Sequence, residues 1–225
     1  MCGRFTLHSS AQEIAEIFDL NNLSGIEPQY NIAPTQLVGT VLNNSEDNTR
    51  EFNLFRWGLI PSWAKDKSMG AKLINARAET VAEKPSFRNA FKRRRCLIVA
   101  DGFYEWQKTD GKKQPFYFHL NSEQPFGFAG LWEKWESPEG EEINSCTILT
   151  TEANELLKPL HDRMPVILSP KDYSLWLDPK VQESEPLQKL LNPYPESAMT
   201  GYPVSTIVNN PKHNGSDCIA TLSKA

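Results

Sequence analysis

The chain opens Met1-Cys2-Gly3-Arg4. Aminopeptidases remove an initiator methionine that precedes a small residue, and cysteine is small. The mature chain then begins with an α-amine and a thiol on one residue, a 1,2-aminothiol. An α-amine titrates near ~8 and is partly neutral at pH 7, and a thiol near ~8.5 is readily tuned downward. An aldehyde takes up such an amine as an imine and then accepts the sulfur, because N, Cα, Cβ, S and the aldehyde carbon close a ring. Closure is intramolecular and gains the effective concentration of a tethered nucleophile. Position alone leaves open that Cys2 is merely an uninformative second residue.

Three further segments carry groups suited to such chemistry. In LINARAET (73–80) Asn75 and Arg77 are two apart, on one face if extended. An amide donor beside a permanent guanidinium suits an oxyanion or phosphate, though Thr80 and Glu83 also fit a capped turn leading into a helix. Glu105, in DGFYEW, lies among Phe103, Tyr104 and Trp106. Partial burial there raises a carboxyl towards general acid/base use, and a solvated edge-strand carboxylate is the alternative. His161, in KPLHDRMP, is a loop histidine flanked by Asp162 and Arg163, a proton donor beside a phosphate neighbour. Trp63, in the turn-like PSWAKD, is the tryptophan best placed for base stacking. The run KRRR (92–95) reads either as a phosphate patch or as a solvated face.

The elements that must hold these residues are short, since 16 prolines punctuate the chain. Ser10 and Glu13 have capping-box spacing and Ile14, Ile17 and Phe18 share a helical face, which predicts a helix over 11–20. Strands are predicted at 37–42, 52–57, 95–100, 103–107, 115–120, 126–132 and 145–150. Turns are expected at 108–114 and 137–142, and a polar loop at 42–51, its 43–50 portion the most mobile. Helices are predicted at 151–158, at 170–177 behind Ser169 and Pro170, and near 182–191. The expected class is α+β: a single domain over 1–225 of largely antiparallel twisted strands forming an open-barrel-like core, flanked by short helices.

Composition narrows the function classes. Hydrophobic residues make up 39% of the chain and charged residues 23%, ordinary for a globular protein. No apolar run reaches membrane-helix length, and the start lacks a secretory h-region, so no membrane partner and a cytoplasmic setting are expected. The four cysteines are scattered, with no CxxC pair and no histidine at ligand spacing, so neither a metal nor another cofactor is expected. A net charge of −4 argues against a whole-surface nucleic-acid coat but permits a local basic channel.

Taken together, MCGRF, YNIAP (30–34), RWGLIPSW (56–63), NARAET (75–80), RCLIVADGFYEW (95–106), FAGLW (128–132), ILTTEAN (148–154) and HDRMPVIL (161–168) resemble the SRAP family, the SOS-response-associated peptidase domain. The resemblance runs in family order from residue 1 to about 170. It implies a monomer that crosslinks to abasic sites in single-stranded DNA through a thiazolidine on Cys2. Asn75 would hold the N-terminal residue or sugar, Glu105 would act as acid/base, and His161 would supply a proton near the sugar oxygen or phosphate. Arg4, Arg77 and Arg163 match phosphate-binding positions, joined by Thr150, and Asn31, Pro34 and Trp63 match the surface against which DNA stacks and bends. The chain departs from many relatives in carrying Ala64 where a second aromatic follows the tryptophan. The resemblance also implies release of the N-terminal peptide by self-processing. A cysteine peptidase or amidohydrolase acting on peptides through its N-terminal thiol, with Asn75 as oxyanion donor, is the reading from a different class. A non-covalent single-strand binder is a third.

Overall fold

A computed structural model describes residues 2–44, 49–109 and 112–222, without the side chains of 108, 109 and 112. In chain order the first half contains β1 (Phe5–Leu7), α1 (Ala11–Phe18), β2 (Gln29–Ile32), β3 (Leu37–Asn43), β4 (Arg50–Trp57), β5 (Asn75–Arg77) and α2 (Arg88–Arg93). Then follow β6 (Arg95–Ala100), β7 (Gly102–Thr109), β8 (Lys112–Leu120), β9 (Phe126–Glu136), β10 (Glu142–Glu152), β11 (Arg163–Pro165) and β12 (Ile167–Leu168). The last elements are α3 (Tyr173–Leu177), α4 (Ser184–Gln188) and β13 (Met199–Pro203).

The strands β10, β4, β3, β6 and β9 hydrogen-bond in that order, and β9 pairs back onto β10. The α+β expectation therefore holds, with the ring closed rather than open. Closure removes the free sheet edges that would otherwise invite association. Neighbours in the ring are antiparallel except β4 and β10, which run parallel. A second sheet, ordered β13-β8-β7-β1-β2, lies against the barrel. Phe5 of β1 is wholly buried and meets Trp57 of β4 and Phe128 of β9 edge-on, at 5.0 and 5.8 Å between centroids. Burying one such ring contributes roughly 1.5–3 kcal/mol, enough to pin the three-residue β1 and the segment Cys2–Arg4 before it.

Local signals read from the sequence recur in the structure. The Ser10–Glu13 capping box is formed in both directions, and α1 ends at Asp19 in the left-handed conformation (φ 56°). Ser169 precedes a 3-10 turn at Pro170–Asp172 that leads into α3, and α4 occupies only the middle of the 182–191 segment. The strand pairs β3/β4 and β7/β8 follow the expected hairpins; parts of the 42–51 and 108–114 loops lie outside the described residues.

Two expectations are corrected. The segment 151–158 is not a helix. β10 continues through Thr151 and Glu152, which pair with Met164 and Arg163 of β11, and Asn154 then turns the chain by accepting the Leu157 N–H on its side chain. Strand pairing across the sheet overrides a local helical preference that stands alone. Nor does the whole of 92–95 form a basic patch. Arg95 is buried beneath α3 and donates to the carbonyl oxygens of Trp176, Phe91, Lys92, Asp178 and Val181. Desolvation lowers its pKa to about 10. Arg94 is paired with Glu133 at 2.7 Å, leaving Lys92 and Arg93 exposed.

Candidate active site around the N-terminal cysteine

Cys2 is fully buried immediately before β1, where Tyr104 of β7 donates its N–H to the Arg4 carbonyl at 3.0 Å. That register brings the start of the chain alongside Glu105. Burial, and next the Glu105 carboxylate, push the Cys2 thiol far above its ordinary range, against the opposing N-terminal ammonium. The downward tuning expected from the sequence is thus reversed: an enclosed thiol beside an acid resists ionisation.

Asn75 reaches the same segment from the barrel. β5 pairs in parallel with β10, setting Asn75 opposite Ile148 and Arg77 opposite Thr150, with buried Ala76 between them. Asn75 and Arg77 therefore do share a face. The Asn75 Nδ2 donates to the Cys2 carbonyl oxygen at 2.8 Å, while its Oδ1 is buried with no hydrogen-bond partner among the described residues. A buried amide oxygen without a donor is costly, so this one is poised to accept an N–H or O–H.

Glu105 of β7 is 3% exposed. Burial raises its carboxyl above the ordinary range, the N-terminal ammonium and the Trp106 N–H oppose the rise, and Asp162 adds to it. Asp162 lies on the turn between β10 and β11. His161, on that turn, has Nδ1 3.0 Å from the Arg163 N–H and 2.8 Å from Asp162 Oδ1. A neutral ring accepts from the first, and a protonated ring donates to the second.

The cationic residues flank this centre in different states. Arg77 is exposed on β5. Arg163 is clamped by both oxygens of Glu79, at 2.6 and 2.9 Å, and donates to the Thr150 carbonyl at 2.5 Å. The Arg163 hydrogen bond holds Glu79 below the usual carboxylate range. Arg77, Thr150 and Arg163 thus meet on adjacent strands β5, β10 and β11. On the other side Arg4 lies over Trp106, 5.9 Å from the ring centre, and donates to Asn31 Oδ1 at 2.6 Å and the Val208 carbonyl at 2.7 Å. Asn31, at 2% exposure, donates in turn to the carbonyls of Val208, Asn210 and His213. Its side chain is wholly engaged within the protein and orients Arg4. Sequence reasoning missed Glu79, the stacking of Arg4 on Trp106 and the carbonyls of 208, 210 and 213, because each is defined by a partner remote in the chain.

Pro34 is half-buried in a turn whose next residue, Thr35, has φ 74°. Trp63 is 58% exposed. Its loop is fastened at the base by Gly58 (φ 129°) against Gly70, where a Cβ on Gly58 would come within 2.6 Å of the Gly70 carbonyl oxygen. Ala64, by contrast, is buried, and its carbonyl accepts the Trp135 indole N–H at 2.7 Å. No hydrogen bond or ring contact joins Trp63 to the Cys2 cluster among the described residues.

A closed barrel sets a buried cysteine near the start of the chain against Asn75, with the Glu105 carboxyl acting on its thiol. The chain belongs to the SOS response associated peptidase (SRAP) family, which it matches over residues 1–211. It is 48% identical over 223 residues to the abasic site processing protein YoqW of Bacillus subtilis, spanning 97% of this chain and 99% of that one. It is 32% identical over 225 residues to the abasic site processing protein HMCES of Xenopus tropicalis, covering 87% of this chain and 67% of the relative. Among solved structures, a Bacteroides thetaiotaomicron protein superposes with a TM-score of 0.87 at 26% identity, covering 99% of this chain and 100% of that one. A phage-related protein of Bordetella bronchiseptica gives a TM-score of 0.72 at 30% identity, covering 90% and 94%. No helix among the described residues is long and apolar enough to cross a membrane.

Proposed function

We propose that this protein processes abasic sites in single-stranded DNA by forming a thiazolidine between Cys2, freed of Met1, and the ring-opened sugar, and that it works as a cytoplasmic monomer. The observation that carries this reading is the Asn75–Cys2 hydrogen bond beside buried Glu105. With Met1 removed, the same bond supports an aminothiol held against an acid in a buried site. The relatives named as abasic site processing proteins support the choice of substrate.

The amine attacks the aldehyde carbon first and gives a carbinolamine. Glu105, or His161 from the opposite turn, protonates its hydroxyl, which departs as water to leave a protonated imine. The thiol then passes its proton to the Glu105 carboxylate as sulfur bonds to the iminium carbon, and the C=N electron pair returns to nitrogen, which keeps its N–H. The net change is aldehyde plus aminothiol to thiazolidine plus water, with no oxidant. The orphan Oδ1 of Asn75 is suited to hold the N–H of the amine or a sugar hydroxyl through this sequence. Arg77, Arg163 with Thr150, and Arg4 positioned by Asn31 provide the phosphate contacts, and Trp63 and Pro34 the stacking surface.

The peptidase reading is less well supported. The Asn75 amide is engaged with Cys2 itself, and the thiol is held protonated, so neither group is prepared for a foreign peptide bond. Self-release of the N-terminal peptide is compatible with the same site. Cys2-dependent turnover of a peptide panel without DNA would favour the peptidase reading. A denaturation-resistant adduct with an abasic oligonucleotide, absent in Cys2→Ala, supports the crosslinking one.

A further inference from the structure

Beyond β13 the chain runs as a strap over β2, and its loop Pro211–Cys218 has no part in the chemistry above. His213 Nε2 and Asp217 Oδ1 lie 2.8 Å apart, and both lie within 4.8 Å of the Cys218 sulfur. Cys218 forms the buried floor of this group, packed in a cluster with Tyr104 and Val208, while the His213 and Asp217 side chains are 38% and 57% exposed at its rim. The loop wraps closely: a Cβ on Gly215 would come within 2.5 Å of Asp217 Oδ1. A His–Asp ion pair accounts for two of these side chains. The Cys218 thiol at the third corner donates to the His213 carbonyl oxygen at 3.7 Å and keeps its sulfur lone pairs for a further ligand.

We propose that His213, Asp217 and Cys218 bind one divalent cation of borderline softness, zinc, with water completing a tetrahedral shell. Zinc takes sulfur at about 2.3 Å and nitrogen or oxygen at about 2.0–2.2 Å, which sets neighbouring donors roughly 3.3–3.6 Å apart. Moving the two exposed side chains by less than about 1 Å reaches that spacing. One thiolate, one imidazole and one carboxylate select zinc over magnesium or calcium, which demand oxygen shells. Three metal–ligand bonds form, the thiol proton passes to solvent, and nothing is oxidised.

The placement gives the metal a structural consequence. The His213 carbonyl accepts from Asn31 Nδ2 at 2.6 Å, and Asn214 Oδ1 accepts the N–H groups of Tyr30 and Asn31 at 2.7 and 3.0 Å. A cation on this loop therefore fixes the clasp that orients Arg4.

The test uses the full chain, freed of metal by chelation and titrated with cobalt(II), with zinc(II) added separately in thermal unfolding. The native chain should bind a single equivalent of cobalt with thiolate charge-transfer absorption and tetrahedral visible bands, and zinc should raise its Tm. Cys218→Ser should abolish the charge-transfer band, and His213→Gln, at a half-exposed position that spares the fold, should weaken cobalt binding at least about 10-fold. Cys2→Ala should retain the full spectrum. Absence of the band from the native chain overturns the proposal. So does a band that survives both loop variants, or one lost with Cys2→Ala.

Discussion

The Asn75 side chain donates to the Cys2 carbonyl oxygen across 2.8 Å, joining β5, which pairs with the barrel strand β10, to the segment before β1. Seventy-three positions separate the two. The bond fixes the backbone of Cys2 while leaving its α-nitrogen and sulfur to react, which is what a terminal nucleophile needs to avoid losing its orientation to fraying.

Removing that bond should therefore slow chemistry more than binding. For Asn75→Ala, one lost hydrogen bond of roughly 1–1.5 kcal/mol corresponds to about a 10-fold slower single-turnover crosslinking rate. Affinity for an unmodified single strand should stay within about 2-fold. Rapid-quench kinetics beside an equilibrium binding assay check both.

Glu105 links catalysis to stability. Its folded-state pKa is raised by burial, so the native state holds a proton that the unfolded chain has already released. Its contribution to stability is complete below the ordinary glutamate range and is lost as pH rises through the raised value. Glu105→Gln removes the buried charge. It should match the native Tm in acid, exceed it at neutral pH, and slow crosslinking on the order of 10²-fold. Thermal melts across pH with adduct kinetics test this, and a lower Tm at neutral pH would argue that the carboxylate is held mainly as a structural ion pair.

Much of this arrangement was legible in the chain. Capping chemistry at Ser10 and Glu13, the apolar run in 95–100 and the aromatic flanks of Glu105 all led to the right element or burial, because each signal is local. What failed was non-local. The helix expected at 151–158 lost to pairing with β11, and Arg95 in KRRR is consumed by carbonyls at the α2 and α3 ends. The Cys2 thiol goes up first because the fold buries it, and then because Glu105, far along the chain, lies beside it. No histidine stands at a recognised ligand spacing in the sequence, and His213, Asp217 and Cys218 come within 4.8 Å of one another only through the tight turn at Gly215.

Trp63 stands exposed on a fastened loop, so its replacement should leave the fold intact. Trp63→Ala should weaken single-strand binding by about 1–3 kcal/mol, roughly 5- to 150-fold, with an unchanged Tm. Fluorescence anisotropy and calorimetry read the two quantities. A fall in Tm with unchanged affinity would assign the ring to packing.

Arg77 and Glu79 should act in opposite directions. Arg77→Ala should weaken binding across all sequences and lower the salt slope by about one. Glu79→Gln frees Arg163 from its clamp and should tighten binding by up to about 5-fold, the scale of a partly exposed ion pair. Titrations at several ionic strengths distinguish these from a change in fold.

The central claim is that the α-amine and sulfur of Cys2 together close a ring on an abasic sugar. Intact mass spectrometry of the protein incubated with an abasic oligonucleotide tests it most directly. The native chain should lose Met1 and gain the mass of the oligonucleotide less one water, in an adduct that survives heating in denaturant. Cys2→Ala should yield only a transient imine that decays unless reduced. An equally stable adduct on Cys2→Ala, or a stable adduct attached at any other residue, contradicts the account.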